Sequence, residues 1–221
     1  MKNLLKKKEI PYKDIGLYSL AMVHPSYQNE EGLKENNQRF EFLGDAVIDL
    51  IVSRYLFTHM GDREGELSRL RAAIVCEGSL AKMAKSLGLE KELLLGKGEE
   101  LSQGRKRASL LSDCFEAFMG ALFMDLGLKE AEKFFLNNYR EYMKEVQKGG
   151  GYVDYKSKLQ IQCQKDQRSI KYKVLEVSGP DHQRQYKIGL YIDQKLASTG
   201  QASSKREAEQ IAAGEVLGED A

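Results

Sequence analysis

The chain has 221 residues, 42% of them hydrophobic and 30% charged, with 34 Lys and Arg against 33 Asp and Glu. Such a composition excludes a chain too polar to bury a core, and its near-zero net charge means that any nucleic-acid surface has to be a local cluster. No apolar run approaches the roughly 20 residues that span a bilayer, and residues 1–8 are too poor in apolar side chains for a signal peptide, so a cytoplasmic protein with no membrane partner is expected.

The apolar spacing is helical along most of the chain. Leu43, Val47, Leu50, Ile51 and Leu56 recur at helical intervals, as do Leu67, Leu70, Ala73 and Ile74, and later Phe115, Phe118, Met119 and Leu122. With no proline between Pro25 and Pro180, the pattern predicts a first domain, residues 1–147, that is all α. Lys148-Gly149-Gly150-Gly151 is the one glycine run and reads as a flexible linker over 148–151. The period then changes. Within 152–221 a short helix is predicted from Tyr155 to Gln164. Alternating stretches at 172–177 and 186–192 follow, then a tight turn at Asp193-Gln194, a third strand from Lys195, and a helix from Lys205 to about Leu217 capped by Ser203-Ser204. The expected fold class is an all-α domain followed by a small α+β domain of order α-β-β-β-α. Cys76, Cys114 and Cys163 form no C-x-x-C pair, so reduced and mostly buried thiols are expected rather than a disulfide or zinc framework.

Two pairs of acids interrupt otherwise apolar helical stretches. Glu41 and Asp45 stand four apart in Phe40-Glu41-Phe42-Leu43-Gly44-Asp45-Ala46-Val47, and Asp113 and Glu116 three apart in Ser112-Asp113-Cys114-Phe115-Glu116-Ala117, so each pair shares a helix face. Carboxylates among apolar neighbours need a partner. Arg39, Arg71 or Arg107 could supply one by ion pairing, and a hard cation such as Mg²⁺ could supply one by oxygen ligation. His24 beside Pro25 reads as structural and His59 as part of a loop-like stretch, and neither is expected to act as a base.

The words around the acids point further. Asn37-Gln38-Arg39-Phe40-Glu41-Phe42-Leu43-Gly44-Asp45-Ala46-Val47 closely resembles the signature stretch of the ribonuclease III family. The resemblance continues, in the family's order, through Ala21-Met22-Val23-His24-Pro25-Ser26-Tyr27, Glu64-Gly65-Glu66-Leu67-Ser68-Arg69-Leu70-Arg71 and Ser109-Leu110-Leu111-Ser112-Asp113-Cys114-Phe115-Glu116-Ala117. It implies an endoribonuclease that cleaves double-stranded RNA by metal-dependent phosphodiester hydrolysis, leaving short 3′ overhangs, with precursors of ribosomal RNA and other RNAs as substrates. By the same resemblance Glu41, Asp45, Asp113 and Glu116 ligate Mg²⁺, which Mn²⁺ can replace, with Asp45 and Glu116 catalytic and Gln38 and Glu64 as auxiliary positions. It also implies a homodimer through the signature helix, a role for which Phe40, Phe42 and Gly44 are suited, although packing inside one chain suits them equally. One departure stands out: Gln38 is an amide where the family usually carries an acid.

The second domain resembles a double-stranded-RNA-binding domain. Tyr155-Lys156-Ser157-Lys158-Leu159-Gln160 is similar to its first contact helix, Gly179-Pro180-Asp181-His182 to its loop between strands, and the stretch from Gly200 to Ala213 to its last helix. That likeness assigns Lys156, Gln160 and His182 to RNA contact and Lys205 and Arg206 to phosphates across a groove. Ile161 and Ala202 depart from its usual Glu and Gly. Two other readings stay open from the acids and the fold alone: a non-cleaving RNA-binding protein, against which four intact acids argue, and a hydrolase of small phosphate esters, which would leave the second domain without a use.

Overall fold

The structure, a computed structural model, describes residues 1–148, 155–179 and 184–218. The chain divides into two compact units, Met1–Tyr152 and Val153–Ala221, each treated by itself.

The first unit is built from helices among its described residues, α1 Lys2–Lys7, α2 Ile15–Ala21, α3 Pro25–Glu31, α4 Gln38–His59, α5 Glu64–Val75, α6 Glu77–Leu87, α7 Lys97–Leu101, α8 Ala108–Leu126 and α9 Leu128–Gln147, with 3₁₀ turns at Leu89–Lys91 and Gly104–Lys106 and an isolated parallel bridge between Val23 and Leu94. Its centre is α8, which buries residues on every side, including Leu111, Cys114, Phe115, Phe118, Met119 and Ala121, all fully enclosed. A helix apolar all round belongs inside a bundle, and α2, α4, α6 and α9 surround it. Phe115 meets Tyr139 of α9 edge to face at 5.4 Å, and Phe118 meets Tyr18 of α2 at 5.8 Å.

The start of α4 is pinned by Asn37, whose backbone N–H donates to the Val23 carbonyl at 2.8 Å. At the other end, the stretch around His59 that reads as a loop in the sequence is instead the last turn of α4. The His59 ring stacks on Tyr55 at 4.4 Å and its Nδ1 lies 2.9 Å from the Tyr55 carbonyl, so the helix runs a turn further than the apolar spacing alone indicates. His24 caps α3, its Nδ1 accepting from the Ser26 N–H at 3.1 Å. The cysteines are all free, with Cys114 and Cys163 buried and Cys76 half-buried.

The second unit runs α10 Tyr155–Lys165, β1 Ile170–Ser178, β2 Gln185–Ile192, β3 Lys195–Ala202 and α11 Lys205–Leu217, its strands forming one antiparallel sheet in the order β1-β2-β3. Both helices cover the same face: Leu159 and Cys163 of α10 pack with Leu190 and Ile192 of β2 and with Ala212 and Ala213 of α11. The β2–β3 turn is made by Asp193 and Gln194, both at positive φ (50° and 68°), the twist that a two-residue hairpin requires. Gly200 lets α11 approach the sheet, since a β-carbon there would stand 2.7 Å from the Ala212 nitrogen. Gly149–Gly151 and residues 180–183, which include His182, lie outside the described residues.

Candidate metal centre and nucleic-acid interface

The acids of α4 and α8 meet because the two helices touch backbone to backbone. A β-carbon on Gly44 would overlap the Glu116 carbonyl and lie 2.9 Å from the Gly120 nitrogen, and one on Gly120 would lie 3.0 Å from the Phe40 carbonyl carbon. Glycines on both helices thus let the two backbones approach with no side chain between them. Glu41 stands three residues before Gly44, and Glu116 four before Gly120. Glu41, Asp113 and Glu116 each offer a carboxylate oxygen, and these three oxygens lie within 4.8 Å of one another.

Asp45 is outside that trio and exposed, one turn along α4 from Glu41. Its charge nevertheless bears on the group. Burial, followed by the charges of Asp45, Asp113 and Glu41, pushes the Glu116 carboxyl up to about 8, against a hydrogen bond from Ser112 Oγ at 3.3 Å that favours the ionised form. Glu41 is raised by burial and by Asp113 and Asp45, and Asp113 by burial and by Glu77. None of the ion pairs among the described residues involves Glu41, Asp45, Asp113 or Glu116: Arg107 pairs with Glu99, and Arg71 donates to Ser53 at 3.2 Å. The arginine-paired alternative therefore fails. Three mutually repelling, partly buried carboxyls with oxygens this close form a hard-oxygen donor set, and they fit a divalent cation better than they fit one another.

The other predicted positions fall in varied surroundings. Gln38 opens α4 exposed, its backbone N–H donating to Asn36 Oδ1 at 2.9 Å. Glu64 opens α5, accepts from Ser68 Oγ at 2.8 Å, and borders a groove with Leu50, Phe57 and Arg71. Of the three signature residues weighed for a dimer contact, Gly44 is buried against α8, Phe40 is partly buried against the core, and Phe42 is 82% exposed. Phe42 does not stand alone, since Leu50 (52%) and Phe57 (77%) emerge on the same face of α4.

In the second unit, Gln160 and its neighbour Ile161 are exposed on α10. Lys156 is drawn inward: its Nζ bonds Glu209 Oε2 of α11 at 2.5 Å and sits 5.2 Å from the centre of the Tyr172 ring. Lys205 and Arg206 are exposed in the first turn of α11, which Ser204 caps by accepting from the Glu207 N–H at 3.2 Å, and Lys205 Nζ lies 5.7 Å from the Tyr186 ring centre.

Two further acids neighbour the site. Glu77, at the start of α6, acts on Asp113 across the fold. Asp49 continues the acid face of α4, raised by burial against the opposing charge of Arg71. The helical interval of four from Asp45 would have flagged Asp49; nothing local flags Glu77. The buried Asn37 leaves its Oδ1 without a protein partner.

Known proteins match both units. Residues 14–143 fit the family model described as Ribonuclease-III-like, and residues 155–218 the Double-stranded RNA binding motif. Among curated relatives, Ribonuclease 3 of Syntrophomonas wolfei is 46% identical over 96% of this chain and 92% of its own length, and that of Bacillus cereus 43% identical over 96% and 88%. Among solved structures, the nuclease domain of ribonuclease III from Campylobacter jejuni, described for structural flexibility in a region involved in dimer formation, is 40% identical with a TM-score of 0.59, covering 63% of this chain and 96% of that one. Among the described residues, no helix is long and apolar enough to cross a membrane.

Proposed function

Because the chain belongs to the ribonuclease III family and carries a double-stranded-RNA-binding motif, we propose that its α4–α8 acids hold Mg²⁺ and that it cuts both strands of an RNA duplex as a homodimer. The protein is an endoribonuclease of double-stranded RNA, and its family is metal-dependent. The observation that carries the site assignment is the trio of Glu41, Asp113 and Glu116 oxygens within 4.8 Å.

Glu41, Asp113 and Glu116 would hold the cation directly, with Asp45 beside them adding negative charge. When bound, Mg²⁺ supplies charge stabilisation at the phosphoryl group and a more acidic water. The chain's own residues supply the rest. Glu116, raised to about 8, gives up its proton on taking a cation, and Ser112 Oγ orients the carboxylate that results. The Gly44–Gly120 contact fixes the separation of Glu41 from Asp113 and Glu116, so neither helix has to move for these three to converge. Mn²⁺, a similarly hard ion, would substitute.

Residues 1–147 would do the chemistry, residues 148–151 link, and residues 152–221 hold the duplex by Lys205 and Arg206 on phosphates and by Gln160 and His182 in the minor groove. Lys156 enters this surface only by leaving Glu209, so its contribution is the costlier one. Auxiliary roles for Gln38 and Glu64 rest on the family resemblance of the stretches that carry them, which open α4 and α5. The exposed row of Phe42, Leu50 and Phe57 supports the homodimer, because an isologous contact buries the same apolar face twice, and the dimer-forming region of the Campylobacter relative points the same way. A cytoplasmic site of action on precursors of ribosomal RNA and other transcripts fits an enzyme with reduced thiols.

Incubation with a long perfect RNA duplex and Mg²⁺ tests the reading. Short duplexes with 3′ overhangs are expected. Binding without cleavage would return the chain to a non-catalytic RNA-binding role, and hydrolysis of small phosphate esters alone would make the second unit irrelevant.

A further inference from the structure

Among the described residues, helices cover only one of the two faces of the sheet in the second unit. Along β2, Ile188, Leu190 and Ile192 point to the helices, so Lys187, Gly189 and Tyr191 point away. The strand pairing carries that outer face across the sheet: Lys171, Lys173 and Glu176 of β1 lie beside Tyr191, Gly189 and Lys187, and Leu196 and Thr199 of β3 beside Tyr191 and Gly189. The pairing is irregular at two places, between Val174 and Glu176 and between Leu190 and Tyr191. Leu175, at the first of them, turns onto the outer face.

Leu175 and Leu196 then meet over Gly189 from opposite edges of the sheet. A β-carbon on Gly189 would lie 2.9 Å from Leu175 Cδ1 and 3.1 Å from Leu196 Cδ1, so the two leucines close over the missing side chain and form one patch. They remain 44% and 54% exposed. Lone exposed leucines are ordinary, but two converging from separate strands beside Tyr191 make a continuous apolar area. Its rim is basic: Lys173 Nζ lies 4.8 Å from the Tyr191 ring centre and Lys171 flanks it, while the one acid among these outward positions, Glu176, stands opposite Lys187 and offsets it.

We propose that this outer sheet face is a docking site for an acidic amphipathic helix of a partner protein, its apolar side chains on Leu175 and Leu196 and its carboxylates on Lys171 and Lys173. An apolar patch on the second face of a sheet offers a place for a second layer, and the first layer, α10 and α11, is already in place. Charge complementarity selects the acidic partner. A nucleic-acid strand fits less well: two leucines offer neither hydrogen bonds nor stacking, and the single aromatic ring already lies against Lys173. The candidate duplex contacts lie elsewhere, on α10 and at the start of α11.

The test uses the full chain with leucine methyl groups labelled for NMR. The probes are a synthetic helix carrying leucines at i, i+3, i+4 and i+7 flanked by glutamates, the same peptide with lysines for glutamates, and oligouridylate. The acidic peptide shifts the Leu175 and Leu196 signals saturably, and Leu196→Gln weakens it at least about tenfold, as loss of an anchor does, while leaving duplex RNA affinity unchanged. Lys173→Glu weakens the acidic peptide and strengthens the basic one, which keeps the test alive if Leu196→Gln folds poorly. No shift at these two leucines, equal binding of both peptides, or a shift produced by oligouridylate instead would each overturn the assignment.

Discussion

The carbonyl of Glu116 occupies the space in which Gly44 would otherwise carry a side chain: a β-carbon there would stand 2.5 Å from the Glu116 carbonyl carbon. Glu116 is thus a neighbour of the glycine through its backbone and a neighbour of Glu41 through its carboxylate. Gly44→Ala is expected to cost about 1–3 kcal/mol through overpacking, and because the displaced helices carry the acids, single-turnover cleavage falls as well. Gly65→Ala, where a β-carbon meets nothing within 4 Å, should leave the protein as stable as before or up to about 1 kcal/mol more stable, since alanine is the better helix former. Thermal melting and cleavage of the two variants side by side check this, and equal behaviour would contradict the backbone contact.

Glu116 also makes stability depend on pH. Its carboxyl rises from 4.5 to about 8, so between those values the folded protein binds more protons than the unfolded chain. Stability of the cation-free protein should therefore decrease as pH rises through that window, and a bound cation should reverse the trend by favouring the ionised form. Melting in EDTA and in Mg²⁺ from about pH 5 to about pH 8 reads this directly. Glu116→Gln, which cannot titrate, should flatten the EDTA curve, and a wild-type curve rising with pH in EDTA would refute the burial of these acids.

The row of Phe42, Leu50 and Phe57 on α4 should hold two copies together. Phe42→Glu combined with Phe57→Glu is expected to give a 25.0 kDa monomer at micromolar concentration with the helix content of the parent, because both side chains are exposed within one chain. Sedimentation decides it. A parent protein that already sediments as a monomer would remove the dimer from the account.

Lys205→Ala with Arg206→Ala should weaken binding to RNA duplexes about equally across sequences and flatten the salt dependence. Phosphate contacts release counterions, each worth about 0.9 in the log–log slope for a B-form duplex, and read no bases. Titrations at several salt concentrations with unrelated duplexes test it; retained affinity with altered sequence preference would reassign both residues.

Much of this was legible in the sequence because periodicity reports which face of an element is apolar. The order α-β-β-β-α, the cap at Ser204 and the turn at Asp193-Gln194 all follow from local chemistry. What periodicity does not report is the identity of the partner. The interval that makes Gly44 and Phe42 look alike is the same whether the helix meets α8 or a second copy, and only the fold separates the buried glycine from the exposed phenylalanine. For the same reason the resemblance assigns Lys156 to RNA contact, while in the fold Glu209, 53 residues away, takes it up. His59 reads as part of a loop because a polar residue at a helix end breaks the apolar pattern before the backbone stops being helical.

Glu116→Gln separates a metal-holding Glu116 from an ordinary half-buried acid. The exchange is nearly isosteric, so fold and duplex affinity should persist. The loss of one negative charge should weaken Mg²⁺ binding and the stabilisation of charge developing on the phosphate, lowering single-turnover cleavage by about 10²-fold or more at low Mg²⁺. Duplex affinity and single-turnover cleavage are measured together at low and high Mg²⁺. The account predicts parental affinity with slow cleavage that high Mg²⁺ partly restores; cleavage at the parental rate at low Mg²⁺ would contradict it.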